Sequence, residues 1–356
     1  MKVTTALFFG FITTPILAYP GMGSAMAEIQ TRHDFALGRR STELLGDLIN
    51  ADQGSLTPSG TTIKSILEGG SAIADSSTYT PPGELASDTC KKSVLCVWYY
   101  IIQDLSGSFT ESDGCTDLAR GAIRQGFHDA ATWDKNSAYG GADGSLLLND
   151  DELARSENKG LETISAQTKT WYNKYKGYGI TMADLIQTAA MTATVCCPGG
   201  PRIKSFIGRK DDSRAGPTDK LPLPQQDAQY LIDLFAAKTF TSNDLVALIG
   251  AHTVSTQKFV DTSRSGASQD TTPSVWDTKF YSETIAGDNK TILIFHSDKS
   301  ISTYSSTKDQ FNTFAGSNGK SLWSPAYAQA YFRMSFLGVN NLNNLTEITQ
   351  VLPLPK

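Results

Sequence analysis

The sequence predicts a mainly helical fold. Apolar residues recur at helical spacing in many segments of the 356-residue chain, whereas runs typical of strands, such as residues 291–295, are few. The chain is 40% hydrophobic and 19% charged, which is typical of a globular protein and excludes a disordered or fibrous one. Its net charge of −5 gives no electrostatic attraction to nucleic acid. We therefore expect one mainly helical domain with long connecting loops that binds no nucleic acid.

The N-terminus has the features of a secretory signal peptide. Lys2 precedes an apolar stretch, residues 6–18, that is shorter than the roughly 20 residues a membrane-spanning helix needs. The stretch ends on Ala18, a small residue suited to cleavage. No later apolar run is long enough to cross a bilayer. We expect residues 1–18 to be removed and the protein to be secreted, extracellular and not bound to a membrane.

Residues 19–89 differ in composition from the rest of the chain. Gly, Ser and Thr are frequent there, and only residues 42–49 and 63–67 have a helical period. Arg39-Arg40 is either a processing site or a solvated arginine pair. The segment is therefore an N-terminal extension or a pro-segment. It precedes a domain over residues 90–345 and a C-terminal tail over residues 346–356.

Apolar periodicity predicts further helices at residues 161–175, 185–195, 225–237 and 326–337. Thr181 and Asp184 resemble a capping box before the second of these, with Asp in place of the usual Glu. This pattern places the start of that helix just after Thr181.

A helix over residues 117–130 presents Arg124 and His128 on one face, because the two are four residues apart. A guanidinium beside an imidazole keeps the imidazole neutral, as a general base requires. Asp129 follows directly, and a glycine-rich turn over residues 140–145 contributes oxygen atoms that suit a hard cation such as calcium. The alternative is a surface Arg–His pair beside a turn.

A second helix begins at a cap on Thr241 or Ser242 and extends to Val254. Leu245, Leu248 and Ile249 form its apolar face, and His252 falls on the same face. Taken alone, a histidine in this setting is more often a hydrogen-bonded core residue than a metal ligand.

Together the two segments resemble the secreted haem peroxidases. Residues 124–129 are similar to the distal helix of that family and residues 248–253 to its proximal helix, and the similarity extends over about residues 90–345. Phe127 is typical of the secreted fungal and plant classes. The resemblance implies a two-lobed helical fold with one haem b between distal and proximal halves, and an enzyme that reduces hydrogen peroxide.

The resemblance also implies roles for individual residues. His128 would act as acid and base on peroxide, with Arg124 stabilising the departing hydroxide and Glu152 and Asn158 anchoring the ring. His252 would bind the haem iron and donate a hydrogen bond to Asp298, which favours the oxidised metal. The residues expected beside the haem are Phe127, Pro222 and Pro224.

Two calcium sites follow from the same resemblance. The distal ligands would be Asp129, Gly141 (through its carbonyl), Asp143 and Ser145. The proximal ligands would be Thr253, Asp270, Thr272, Val275 (through its carbonyl) and Asp277. The residue before the first proximal aspartate, usually aromatic in the family, is Gln269 here, which makes haem packing on that side different.

The resemblance implies a disulfide between Cys115 and Cys197. The other cysteines, Cys90, Cys96 and Cys196, permit at most one more bridge, whose pairing stays open. Sequons at Asn289 and Asn344 agree with a secreted glycoprotein.

The expected function is a monomeric peroxidase that oxidises small phenols or similar reductants by one-electron steps at the haem edge. The positions that bind manganese in the fungal family are Asp117, Gly121 and Lys258 here, a set that cannot hold a divalent cation. The position of the family's surface tryptophan is Ala247. Both additional electron-entry sites are therefore missing at the family's positions, which leaves open a relay through another surface Tyr or Trp.

Two other interpretations explain the sequence less well. A catalytically silent calcium-binding protein on the same scaffold would have lost the residues that are present here. A hydrolytic divalent-metal site would need more ligands than a chain with four histidines supplies.

Overall fold

A computed structural model of the chain describes residues 40–356, and these are mainly helical, which confirms the predicted fold class. The predicted signal peptide, residues 1–18, lies outside the described residues. The helices are α1 Pro58–Leu67, α2 Asp88–Lys91, α3 Val94–Phe109, α4 Asp117–Ala130, α5 Ser145–Leu148, α6 Asp150–Leu153, α7 Glu162–Tyr175, α8 Met182–Cys196, α9 Ala228–Ala236, α10 Ser242–Ile249, α11 Lys279–Ala286, α12 His296–Thr303, α13 Lys308–Ala315 and α14 Gly319–Met334.

Short 3₁₀ helices and strands connect these helices. The 3₁₀ helices are Gly46–Asn50, Gln53–Ser55, Ser156–Asn158, Lys176–Tyr178, Gly250–Val254, Thr262–Arg264, Leu342–Asn344 and Thr349–Val351. Strand β1 Thr110–Glu111 pairs antiparallel with β2 Gly114–Cys115, and β3 Phe206–Ile207 pairs antiparallel with β4 Thr346–Glu347. No helix within residues 40–356 is long and apolar enough to cross a membrane.

Helix α8 is buried along its whole length and packs against α4, the helix that carries His128. The Gln187 side chain donates to the Gly126 carbonyl at 2.9 Å. A Cβ atom on Gly126 would lie 2.6 Å from Cβ of Ala190, so this close approach requires glycine. The disulfide between Cys115 and Cys197 joins the start of α4 to the end of α8, as the resemblance predicted. Cys90 and Cys96 form the second bridge, and Cys196 is a buried free thiol.

Helix α10 is shorter than predicted. It begins at a capping box between Thr241 and Asp244, as expected, but ends at Ile249, and His252 lies on the 3₁₀ helix that follows. The indole N–H of Trp323 donates to the Ala247 carbonyl at 2.8 Å. This carbonyl lies in the last turn of α10, where carbonyl groups lack N–H partners within the helix. Gly250 marks the change, since a Cβ atom there would lie 2.5 Å from Nε1 of Trp323.

Three other predicted elements need correction. The helix predicted at residues 326–337 begins earlier, at Gly319, and includes Pro325 in its interior. The run over residues 291–295 forms no strand; instead, Leu293 donates one backbone hydrogen bond to the Ser268 carbonyl. Thr181 caps α8 as predicted, but the Asp184 carboxylate does not return to it and instead pairs with the buried Arg209 at 3.0 Å.

Residues 40–89 and 346–356 belong to the same packed unit as the segment between them. Leu48, Ile63 and Leu67 are completely buried in the common core. The Arg333 guanidinium in α14 donates to the carbonyls of Ser41 and Glu43 at 2.8 and 2.7 Å. The composition change at residue 90 therefore does not mark a boundary in the described fold.

Candidate active site

His128 lies on the last turn of α4 and is almost completely buried. Its Nδ1 is 2.8 Å from Oδ1 of Asn158, whose Nδ2 donates to the Glu152 carbonyl at 2.7 Å. That second bond fixes the amide orientation, so Oδ1 faces the ring and can only accept. Nδ1 must therefore carry the proton, which leaves the lone pair on Nε2. Glu152 therefore acts on the ring through Asn158, and it does so with its backbone carbonyl.

Arg124 lies one turn before His128. Its guanidinium donates to the carbonyls of Lys159 and Glu157 at 2.8 and 3.0 Å. Burial lowers the pKa of Arg124 to about 10, so it remains a cation at neutral pH. Burial and then the Arg124 charge hold the pKa of His128 well below its usual value. A buried imidazole that stays neutral is suited to act as a base.

Two other residues expected beside the haem, Phe127 and Pro224, contact different helices. Phe127 stacks on Phe235 of α9, with ring centroids 6.2 Å apart. The Pro224 carbonyl accepts from the Ser297 backbone at 2.9 Å, so this segment contacts the start of α12, next to Asp298.

His252 is held by a carboxylate and two aromatic rings. Its Nδ1 is 3.0 Å from Oδ2 of Asp298, which is buried in α12. The rings of Phe280 and Phe295 meet the imidazole edge-to-face at centroid distances of 5.5 and 5.7 Å. Within residues 40–356, Nε2 of His252 forms no hydrogen bond, and the same holds for Nε2 of His128. These contacts leave Nε2 of His252 free and would suit this nitrogen to hold haem iron.

Gln269 occupies the position where an aromatic residue is usual in the family, and it contacts the same pair. Its Nε2 donates to Oδ2 of Asp298 at 2.9 Å and lies 3.2 Å from Nδ1 of His252. Ser255 donates to Oε1 of Gln269. The sequence analysis expected Gln269 to change how haem packs on this side. The structure shows in addition that Gln269 forms a hydrogen bond to Asp298.

The loop after α4 collects oxygen atoms around Asp129. This carboxylate accepts from the backbone of Gly144 and Leu146 at 3.2 and 3.4 Å, and Asp143 accepts from the Ser145 backbone at 3.0 Å. The Ser145 hydroxyl is buried and forms no hydrogen bond within the described residues.

The two carboxylates of this loop have no ion-pair partner within the described residues. Burial raises the pKa of Asp129 well above its usual value and that of Asp143 to about 6. No Lys or Arg in residues 40–356 forms an ion pair with either one. The Gly141 carbonyl lies beside them, since it accepts from the Asp143 backbone at 2.8 Å. Two carboxylates, a carbonyl and an unpaired hydroxyl fit the oxygen coordination of calcium.

A second cluster lies just after His252. Thr253 donates through its hydroxyl to Asp270, and the Thr272 hydroxyl donates to Asp277 at 2.9 Å. The Val275 backbone donates to the Thr272 carbonyl, which closes the loop. Burial raises the pKa of Asp270 to about 7. No part of residues 40–356 gathers three His, Cys, Asp or Glu side chains suited to a metal, so an ion at either loop would also need hydroxyl and carbonyl oxygens.

The positions associated with manganese and with surface electron transfer have other roles here. Asp117 forms an ion pair with Arg120, and Lys258 is exposed. Ala247 is completely buried.

This fold and these two histidine sites define a haem peroxidase. A family model described as "Peroxidase" matches residues 102–317, and the chain therefore belongs to the peroxidase family, enzymes that act on hydrogen peroxide. The resemblance drawn from the motifs is thus confirmed.

Fungal proteins are among its relatives. A "Peroxidase" of Coprinopsis cinerea is 29% identical over 302 residues, which cover 76% of this chain and 81% of the relative. A "Peroxidase" of Arthromyces ramosus is 29% identical over 303 residues, covering 77% and 81%. "Ligninase C" of Trametes versicolor is 27% identical over 302 residues, covering 75% and 77%.

Proposed function

We propose that the protein is a secreted, monomeric peroxidase with one haem b and two calcium ions, which oxidises small phenols or similar reductants. The observation that carries the proposal is the pairing of both histidines. Asn158 holds Nδ1 of His128, and Asp298 holds Nδ1 of His252, so each ring presents Nε2 for chemistry.

Haem, when bound, supplies an iron that takes up two oxidising equivalents from hydrogen peroxide and passes them on singly. His252 would hold the iron through Nε2, with Asp298 orienting the ring. His128 would take the proton from the inner peroxide oxygen on Nε2 and deliver it to the outer one. Arg124 would stabilise the negative charge that develops on the departing hydroxide. The two calcium loops would brace the helices that carry the histidines.

The class of reductant is inferred from two sites of the fungal family that lack the required residues here, the manganese site and the surface tryptophan. Lys258 places a cation where a metal-binding carboxylate is needed, and Gly121 has no side chain. Ala247 is buried and cannot pass an electron from the surface. Small phenols that reach the haem edge are therefore the favoured substrates, and Mn(II) should be turned over weakly.

A matched pair of histidine variants tests the haem assignment. His252 and His296 each contact an aspartate, at 3.0 and 2.7 Å, but the His296 pair is on the surface. We expect His252→Ala to lose the Soret band after haem reconstitution and His296→Ala to keep it. Equal haem content in the two variants would refute the assignment. Saturable oxidation of Mn(II) at micromolar concentration would refute the substrate proposal.

A further inference from the structure

Two N–H donors meet on one oxygen of Asp298. Nδ1 of His252 lies 3.0 Å and Nε2 of Gln269 lies 2.9 Å from Oδ2. Asp298 is only 1% exposed, so water does not compete with either hydrogen bond. Oδ2 therefore divides its accepting capacity between the ring and the amide.

The orientation of the Gln269 amide follows from what it meets at its two ends. At one end the Ser255 hydroxyl, which can donate to Oε1 of Gln269, also lies 2.9 Å from the His252 carbonyl, and at the other end stands the Asp298 carboxylate. A flipped amide would place Oε1 against the carboxylate oxygen, where two acceptors repel each other. Nε2 must therefore be the atom that faces Asp298.

A second donor changes what the carboxylate does to the ring. A carboxylate that accepts only the imidazole N–H draws that proton strongly and gives the ring anionic character, which strengthens its bond to iron. A competing N–H withdraws part of that negative charge. The amide therefore reduces the anionic character that the carboxylate alone would give to the ring.

We propose that Gln269 is a positioning residue that limits the anionic character of His252 by donating to the same oxygen of Asp298. It thereby raises the ferric/ferrous potential of the bound haem above that of a variant without the amide. The inference rests on the proposed haem ligation by His252, and it concerns only the strength of that ligation.

The test replaces the amide with a thioether of similar length, Gln269→Met, in the haem-loaded protein. Loss of the second donor should raise the iron–histidine stretching frequency of the ferrous protein and lower the ferric/ferrous midpoint potential. Ser255→Ala, which frees the amide to rotate, should move both quantities in the same direction by a smaller amount.

Gln329→Met is the matched control. Gln329 is also buried and donates its amide to a carbonyl, that of Ile66, but it has no contact with His252 or Asp298. Its substitution should leave both haem measurements unchanged. Wild-type values of frequency and potential in both Gln269→Met and Ser255→Ala would overturn the inference. A wild-type protein that binds no haem would instead refute the proposed function.

Discussion

At the scale of single residues, the partner of each histidine determines what the ring can do. A neutral amide, Asn158, accepts from His128 and leaves the ring neutral with a free Nε2, whereas the carboxylate of Asp298 would make His252 a stronger donor to a metal. In the proposed function, the same type of side chain would therefore serve as proton carrier in one place and as ligand in the other. Sequence motifs identified both rings, but only the hydrogen bonds assign the tautomers.

Loss of the distal ring should slow the reaction with peroxide without removing haem. In His128→Leu we expect the second-order rate of peroxide reaction to fall by about 10² to 10⁴, the range typical of a lost acid–base group. Stopped-flow spectroscopy measures this rate, and His296→Leu serves as the control. A wild-type rate in His128→Leu would exclude the ring as the proton carrier.

The pH dependence of the same rate should report the Arg124 charge. The pKa of His128 is lowered by burial and then by Arg124, so the base stays active as pH falls and is lost only at a pH below the usual value of about 6.5. Arg124→Leu removes the cation, which raises the pKa of His128. The acid limb of the pH–rate profile should therefore move to higher pH, and the plateau should drop by about 10² to 10³. An acid limb that stays in place would show that Arg124 does not act on His128.

At the scale of elements, a helix whose ends are set by local signals could be predicted, whereas one whose end is set by a distant contact could not. Helix α4 has the predicted bounds because its apolar period and its Thr116 cap are both local. Helix α10 ends earlier than predicted because Gly250 packs against Trp323, which is far away in sequence. A periodic pattern cannot show such a contact, since the apolar spacing continues through the change to a 3₁₀ helix.

Two glycines inside helices should respond oppositely to alanine. In Gly126→Ala the new methyl would meet Ala190 and the Tyr331 hydroxyl, and we expect a loss of about 1–3 kcal/mol in the free energy of unfolding. Gly107 in α3 has open space, so Gly107→Ala should gain about 0.5–1 kcal/mol from helix propensity. Chemical denaturation measures both. A gain in Gly126→Ala would contradict the close packing of α4 on α8.

At the scale of the whole molecule, the chain outside the motif region was the hardest part to predict. The segment before residue 90 has a helical apolar period only in two short runs, yet Leu48 and Ile63 are completely buried in the common core. Asp47 accepts from the backbones of Leu342 and Asn343 at 2.7 and 3.2 Å, which ties this segment to the C-terminal region. Composition reports how many apolar residues a segment has but not which surface they cover.

Calcium should support the molecule as a whole, because both candidate loops adjoin a histidine-bearing helix. We expect chelation to lower both Tm and peroxidase activity, since buried carboxylates such as Asp143 and Asp270 would lose their counter-charge. Asp143→Ala and Asp270→Ala should each remove one calcium ion in a metal analysis. The exposed Asp309→Ala is the control and should remove none. Active protein without calcium would refute both sites.

The fate of residues 40–89 can be tested with two adjacent side chains. Leu48 is 0% exposed and Ile49 is 60% exposed, on the same short 3₁₀ helix. If the segment stays in the mature enzyme, Leu48→Ala leaves a core cavity and should cost about 2–5 kcal/mol in the free energy of unfolding. Ile49→Ala should change it by no more than about 0.5 kcal/mol. Denaturation of the secreted protein measures the difference, and N-terminal sequencing identifies its first residue. A mature chain that begins near residue 90, with both variants as stable as the wild type, would show instead that the segment is removed.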